Sequence, residues 1–111
     1  MSKQVILTKL NLHGGYLEDV DLTTVDLRSA NLVGANLVGA NLAGASLEGA
    51  SLKKVNLMGA NLAGANLAGA SLEGTDLCMS NLTNADFDGA NLSTAKNLPT
   101  TTNETKKRSK L

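Results

Sequence analysis

Large and reactive side chains are scarce in this sequence. Its 111 residues include one Tyr, one Phe and no Trp, with one Cys, one His and one Pro. So few aromatic rings exclude a conventional globular core, in which such rings supply much of the buried area. A single Cys excludes an intrachain disulfide. The fold must therefore be built from small and aliphatic side chains.

Long hydrophobic runs are also missing. No stretch approaches the roughly 20 apolar residues of a membrane span, and residues 1–10 lack the apolar region and cleavage site of a secretory signal. We therefore expect a soluble, cytoplasmic protein with no membrane partner. The final tripeptide, Ser109-Lys110-Leu111, matches a peroxisomal address, which would have meaning only in a eukaryotic source.

A five-residue repeat fills most of the chain. From Ala30 it reads Ala-Asn-Leu-Val-Gly twice, then Ala-Asn-Leu-Ala-Gly and Ala-Ser-Leu-Glu-Gly. Numbered from the central Leu as 0, a unit has a small apolar residue at −2, Asn, Asp or Ser at −1, any residue at +1, and often Gly at +2. Units follow without a gap from Leu7 to Leu92, in steps of five.

A period of five fits neither an α-helix nor a flat strand, whose apolar residues recur every 3.6 or 2 positions. It fits a solenoid that turns a corner once per unit, with positions −2 and 0 inside. Four corners give coils of twenty residues stacked about 4.8 Å apart. The predicted core ladder is Leu32, Leu37, Leu42, Leu47, Leu52, Leu57, Leu62, Leu67, Leu72 and Phe87.

Glycine at +2 predicts the type of corner. A type II turn needs a positive φ at its third residue, which Gly adopts without a Cβ clash. We expect type II corners at Gly34, Gly39, Gly44, Gly49, Gly59, Gly64, Gly69 and Gly74. We expect less regular turns where +2 is Asp19, Thr24, Ser29, Lys54, Met79 or Asn84.

The tandem Ala-Asn-Leu-x-Gly units resemble the pentapeptide-repeat proteins over about residues 5–95. This resemblance implies an all-β, right-handed quadrilateral β-helix, here of about 4.5 coils. Small stand-alone members of that family are abundant in cyanobacteria. Functions within the family are diverse, so the resemblance implies a fold more than a role.

Three segments are predicted: a lead-in over residues 1–4, the β-helix over 5–95, and a tail over 96–111. The tail is polar and basic, so we expect it to be disordered unless bound. We interpret Val5 to Leu12 as a partial cap of the first coil. The other end shows no helical cap of the kind that many family members carry, so a homodimer through that uncapped end is a further expectation.

The sequence shows no combination of residues that is typical of an enzyme active site. His13 and Cys78 fall on neighbouring faces about three coils apart, roughly 15 Å at strand spacing. Acidic pairs such as Asp26 and Asp86 would lie on a convex prism that offers no pocket to shift their pKa values. We predict no catalytic, cofactor-binding or metal-binding residues, no small-molecule substrate, and no enzymatic activity.

One outer face is more apolar than the rest. Twenty-residue spacing stacks Glu18, Val38, Met58 and Cys78 in one column, beside a column that begins with Tyr16. The predicted protein-contact face comprises Tyr16, Val33, Val38, Met58, Cys78 and Met79. The alternative interpretation, which the tolerance of +1 for any residue slightly favours, is a chance alignment.

Three functions remain open. The first is a protein–protein interaction or regulatory scaffold with another protein as partner. The second is a DNA mimic that modulates DNA gyrase or a topoisomerase, as the resemblance implies for some acidic family members. The third is a structural element that stacks end to end. We expect no nucleic-acid ligand, because Lys106, Lys107, Arg108 and Lys110 make at most a weak, salt-sensitive site.

Overall fold

A computed structural model describes residues 4–99 of the chain. Parallel bridges join residues that lie twenty positions apart, from Ile6 with Asp26 to Asp76 with Lys96. Five-residue sides and twenty-residue repeats together make coils of four sides. The predictions for the lead-in before Gln4, for the tail from Thr100 onward and for the terminal tripeptide concern chain outside these described residues.

The sides of the coils are too short to form continuous strands. Within residues 4–99 there is no helix, and each side contributes one bridged residue, at position −1. A corner follows two residues after each bridge, so no two consecutive residues are bridged. The all-β expectation therefore needs a refinement: the coils are joined by isolated bridges rather than by the strands of a sheet.

Every backbone amide of a typical unit has an acceptor, which explains why the coils hold without longer strands. The −2 amide closes the preceding corner, the −1, 0 and +2 amides bond to adjacent coils, and the +1 amide bonds to the side chain at −1. In the unit Ala40–Gly44 the acceptors are, in chain order, Leu37 O, Val20 O, Asn61 O, Asn41 Oδ1 and Ala63 O, at 2.7–3.0 Å.

The side chain at −1 supplies an acceptor that the backbone itself does not provide. Asn61 Oδ1, for example, accepts from the amide of Ala63 at 3.0 Å. Asn61→Ala is expected to lower the free energy of unfolding by about 1 kcal/mol, the usual net value of one hydrogen bond. Urea unfolding measures this change. Asn61→Asp keeps the acceptor and is the control, and equal stability of Asn61→Ala and the parent chain would contradict the role assigned here.

The corners from Lys9 to Gly89 share one backbone conformation, whatever residue occupies +2, whereas the last corner, at Thr94, has no positive φ. Glycines there have φ from 67° to 74°, as type II turns require. The expected irregular turns at the non-glycine corners are wrong. Those residues have φ from 58° to 61° and the same closing bond, such as Ser80 N to Leu77 O at 3.1 Å. Bonds to adjacent coils and the buried Leu before each corner hold this geometry even for β-branched Thr24.

Leucines and alanines fill the axis of the coil. Each residue of the predicted core ladder is at most 1 % exposed, including Phe87. Two hydroxyl groups also lie inside: Thr75 Oγ1 donates to the carbonyl of Leu52, and Ser80 Oγ donates to that of Leu77 at 2.9 Å. Both hydroxyls are therefore satisfied, as buried polar groups must be.

The two ends of the coil differ. Val5, Ile6 and Leu10 are 54 %, 65 % and 37 % exposed, so they do not cover the first coil as predicted. At the other end, Leu82, Phe87 and Leu92 are at most 4 % exposed, and Leu98 packs against the core. The end that was expected to be open is therefore the covered one.

Candidate functional site

The coils present four outward walls, each made of every fourth unit. Wall A contains the unit centred on Leu7 and those twenty residues further on. Walls B, C and D start in the same way from Leu12, Leu17 and Leu22. Within residues 4–99 no helix is long and apolar enough to cross a membrane.

Wall C carries most of the predicted contact face. Val38, Met58 and Cys78 occupy +1 in successive coils, held by bonds such as Gly39 N to Met58 O at 2.9 Å and Gly59 N to Cys78 O at 2.8 Å. Met58 is 40 % exposed, whereas Val38 and Cys78 are half-buried. Met79, at the corner beside Cys78, is 82 % exposed. We call these four residues the apolar strip.

The other two predicted contact residues lie apart from the strip. Val33 belongs to wall B. Tyr16 is on wall C but in the −1 column, where it begins the bridged series that continues through Asn36. Glu18 occupies +1 in the same coil as Tyr16, one coil below Val38, so it separates Tyr16 from the strip. The structure therefore brings four of the six residues together.

Carboxylates border the apolar strip at both ends. Glu18 accepts hydrogen bonds from Tyr16 Oη at 3.0 Å and from Asn36 Nδ2 at 3.2 Å. The bond to Glu18 raises the pKa of the Tyr16 phenol. At the upper end, hydrogen bonds from Asn97 Nδ2 and the Cys78 amide, both 3.0 Å long, lower the pKa of Asp76. An apolar strip with one anchored negative charge below it and another beside its upper end is the main feature of this wall.

Bonds between glutamates and asparagines of adjacent coils were missed by the sequence analysis. Each Glu at +1 accepts from the Asn eighteen residues later, at 3.0–3.2 Å. A coil of twenty residues places +1 of one coil diagonally below −1 of the next coil on the same wall, so a spacing of eighteen between Glu and Asn was the available signal. The three pairs are Glu18–Asn36, Glu48–Asn66 and Glu73–Asn91.

Wall A carries a bidentate ion pair instead of an apolar strip. Arg28 donates from Nη2 to Asp26 Oδ2 at 2.7 Å and from Nε to Oδ1 at 2.9 Å. Asp26 is only 4 % exposed, because the guanidinium lies over it. A shallow open groove beside this pair, lined by Thr8, Lys9, Arg28, Ser29, Glu48 and Gly49, is a concavity that the sequence analysis did not foresee.

Acid is expected to destabilise the coil through this ion pair. Hydrogen bonds from Arg28 lower the pKa of Asp26. A carboxyl whose pKa is lowered in the folded state stabilises that state above its ordinary pKa, and the contribution is lost as pH falls through the lowered value. The free energy of unfolding should therefore decrease as pH falls below about 4. Urea unfolding from pH 7 to pH 3 measures this decrease.

The Asp26→Asn variant provides the control, because it cannot titrate at this position. Its stability should decrease less with acid than that of the parent chain. Asp21 and Asp76 also have lowered pKa values, so some acid sensitivity should remain. Identical pH profiles for the variant and the parent would contradict a contribution from the Asp26–Arg28 pair.

The likeness to known proteins agrees with this geometry. A family model described as pentapeptide repeats matches residues 21–59 and 56–93, with 8 copies of the repeat. A comparison with curated proteins gives no match. Several solved structures do match, and they are pentapeptide-repeat proteins or share that coil.

A pentapeptide-repeat protein of the Arabidopsis thaliana thylakoid lumen is 32 % identical, over 87 % of this chain and 69 % of its own, with a TM-score of 0.57. Rfr23 of the cyanobacterium Cyanothece 51142 is 40 % identical, over 81 % and 65 %, with a TM-score of 0.52. QnrB1, a plasmid-mediated fluoroquinolone resistance protein, is 19 % identical with a TM-score of 0.53, and this likeness concerns the fold alone.

These likenesses imply a right-handed quadrilateral β-helix. The chain spans 69 % of the length of the Arabidopsis protein, 65 % of that of Rfr23 and 62 % of that of QnrB1.

Proposed function

The chain belongs to the pentapeptide-repeat family, and on that premise we propose that it is a non-enzymatic scaffold that binds another protein through wall C. The proposed scaffold is a prism of about 4.5 coils, spanning residues 5–95 and located in the cytoplasm. Its rigidity supports binding, because a preformed surface loses little conformational entropy when a partner docks.

The apolar strip is the observation that carries this proposal. Single exposed apolar side chains are common on soluble proteins, but Val38, Met58, Cys78 and Met79 are neighbours in successive coils. Contiguous exposed apolar surface is typical of protein-contact sites. Methionine suits such a site because its unbranched, polarisable side chain adapts to different partner shapes.

The borders of the strip define the chemistry of the partner. Glu18 places negative charge below the strip, and Asp76 places it beside the upper end of the strip. A complementary surface is flat, has apolar side chains at its centre and carries Lys, Arg or amide donors at its edges. The exposed area is small, so a transient interaction is expected rather than a permanent one.

A matched pair of variants tests wall C. Val38→Asp with Met58→Asp charges the strip in two successive coils. Ala43→Asp with Ala63→Asp introduces the same charges at the same +1 positions on wall D. Partners captured from the source organism by the parent chain are identified and then titrated against all three proteins by calorimetry.

The wall C variant should bind at least about tenfold more weakly, as expected when a central contact is charged and desolvated. The wall D variant should bind like the parent chain. If the wall C variant bound the partner as tightly as the parent chain, wall C would not be the contact surface. Equal losses in both variants would mean that the introduced charge, rather than its location, is responsible.

DNA mimicry is the second candidate, because the repeat body is acidic. Residues 5–95 carry nine Asp and Glu against four Lys and Arg, a difference of −5. A duplex of the same height, about 22 Å, carries roughly 13 phosphate charges. The Asp26–Arg28 and Lys53–Glu73 pairs neutralise part of the acidic surface. A DNA gyrase supercoiling assay tests this candidate, and an unchanged supercoiling rate would exclude it.

A further inference from the structure

The first coil breaks the repeat rule at two positions. Position −1 holds Asn, Asp or Ser from Asp21 to Asn91, but it holds Ile6 and Tyr16 in the first coil. Ile6 lies on wall A and Tyr16 on the opposite wall C, and they are 65 % and 74 % exposed. Below them the core is uncovered, since Leu7, Leu12 and Leu17 are half-buried where later ladder residues are fully buried.

The backbone at this end is also unsatisfied. Among residues 4–99, the amides and carbonyls of Ile6, Asn11, Tyr16 and Asp21 have no hydrogen-bond partner. Their counterparts one coil higher use both groups to bond to the coil below, as Asn36 N does with Gly15 O at 2.8 Å and Asn36 O with Leu17 N at 2.7 Å. Within residues 4–99, each side of the first coil therefore directs one N–H and one C=O, on the same residue, out of the end of the prism.

A residue that offers both groups on one edge is self-complementary in antiparallel pairing. In an antiparallel hydrogen-bonded pair, two facing residues each donate an N–H and accept with a C=O. A two-fold axis that lies in the plane of the end and crosses walls A and C reverses the direction of the facing sides. It also places wall A over wall A, wall C over wall C, and wall B over wall D of the other copy.

We propose that two copies of this chain associate through their first coils about this two-fold axis. Ile6 then lies against Ile6 of the second copy, and Tyr16 against Tyr16. Apolar and aromatic cross-strand pairs of this kind stabilise adjacent strands. Asn11 of one copy faces Asp21 of the other, so the two Asp21 carboxylates do not face each other. The two exceptions to the repeat rule thereby acquire partners, and the half-buried leucines of the two copies cover each other.

Head-to-tail stacking is the competing arrangement, and the C-terminal end argues against it. There Leu82, Phe87 and Leu92 are already buried, so that end has no exposed core to offer. Parallel stacking would also place Ile6 and Tyr16 over polar side chains at −1, such as Asp86 on wall A. A two-fold contact uses one end of each copy and closes as a dimer instead of growing into a filament.

The dimer does not rest on the scaffold function, but it would extend it. Because the axis crosses wall C, the apolar strips of the two copies would lie on one continuous wall, related by the two-fold. A partner with two binding elements would then gain from their effective concentration. The contact is confined to one end of the coil, whereas stable complexes bury roughly 800 Å² per partner, so we expect the dimer to dissociate on dilution.

Sedimentation velocity of the full chain, from about 1 µM to about 1 mM, measures this equilibrium. The average mass should rise with concentration and level off at twice the monomer mass. Ile6→Asn with Tyr16→Asn restores the repeat rule, so folding should be kept or improved while the dissociation constant rises at least tenfold. Ala68→Asn also replaces an apolar residue by Asn, far from the first coil and outside the apolar strip, and should leave the dissociation constant unchanged.

Cross-linking then separates the two arrangements. In a Cys78→Ser background, Thr8→Cys and Asp88→Cys place one thiol at +1 of wall A, at opposite ends of the prism. A short bis-maleimide should link Thr8→Cys chains to each other and leave Asp88→Cys chains monomeric. Links between the two variants in a mixture, a mass that grows beyond the dimer, or a monomer at every concentration would each overturn the proposal.

Discussion

Leu57→Ala is expected to lower the free energy of unfolding by about 2–5 kcal/mol, the range for buried leucines. The side chain of Leu57 is 0 % exposed on the axis of the coil. The cavity left by the substitution has little means of collapsing, because bonds from the Leu57 amide to Asp76 O at 2.9 Å and from the Ala60 amide to Leu57 O at 3.0 Å hold this corner. The upper part of the range is therefore expected.

The next residue along the chain provides the control. Met58 has a side chain of similar size, points outward and is 40 % exposed. Met58→Ala should change stability by less than about 1 kcal/mol, as surface substitutions usually do. Urea unfolding of both variants measures the contrast. Equal losses would mean that the inward and outward positions assigned here are wrong.

The coil was predictable because one physical requirement is repeated in every unit. Leu57 and Ala60 must both be buried, and a period of five can bury them only if the chain turns once per unit. The spacing of twenty between bridged residues such as Asn36 and Asn56 then follows from four turns per coil. Each unit favours the same coil geometry, so a few units that depart from the pattern do not obscure it.

The corners were predicted less well, because residue preference was taken as the cause of the turn. Glycine favours positive φ, but Thr24 and Met79 adopt it too, at 59°. The amide of Thr24 bonds to Ala43 O at 2.9 Å, and that of the following residue, Val25, closes the corner on Leu22 O at 3.1 Å. The bond to the adjacent coil and the corner bond together outweigh a local conformational cost of about 1–2 kcal/mol. A preference measured for isolated residues cannot include them.

The contact wall was predicted in part for a similar reason. Column membership follows from counting by twenty, so Val38, Met58 and Cys78 were placed together. Val33 was included because its residue type matched, although it belongs to wall B. Exposure at the two ends could not be read from the repeat at all, since it depends on how Leu98 and the first coil pack. Coverage of an end is a tertiary property with no periodic signal.

Deleting the single residue Ala43 is expected to abolish cooperative folding, whereas deleting whole units is not. Without Ala43, every later Leu reaches its corner one residue early and leaves the axis. Each misplaced Leu loses about 1.5–3 kcal/mol of burial, so a few of them exceed the 5–15 kcal/mol that stabilises a typical domain. Circular dichroism and urea unfolding measure the outcome.

Deletions of complete units are the matched controls, and they also test wall C. Removing residues 41–60 deletes one whole coil, so Cys78 moves directly above Val38 on the same wall, and a shorter coil with a partial strip should remain. Removing residues 41–45 keeps all remaining leucines inside. It moves every unit after the deletion to the preceding wall, so Met58 is carried to wall B. The variant without residues 41–45 should therefore fold but no longer bind the partner protein. If the variant without residues 41–45 binds as well as the variant without residues 41–60, wall C is not the contact surface, since the two deletions differ in wall assignment while both preserve the buried ladder.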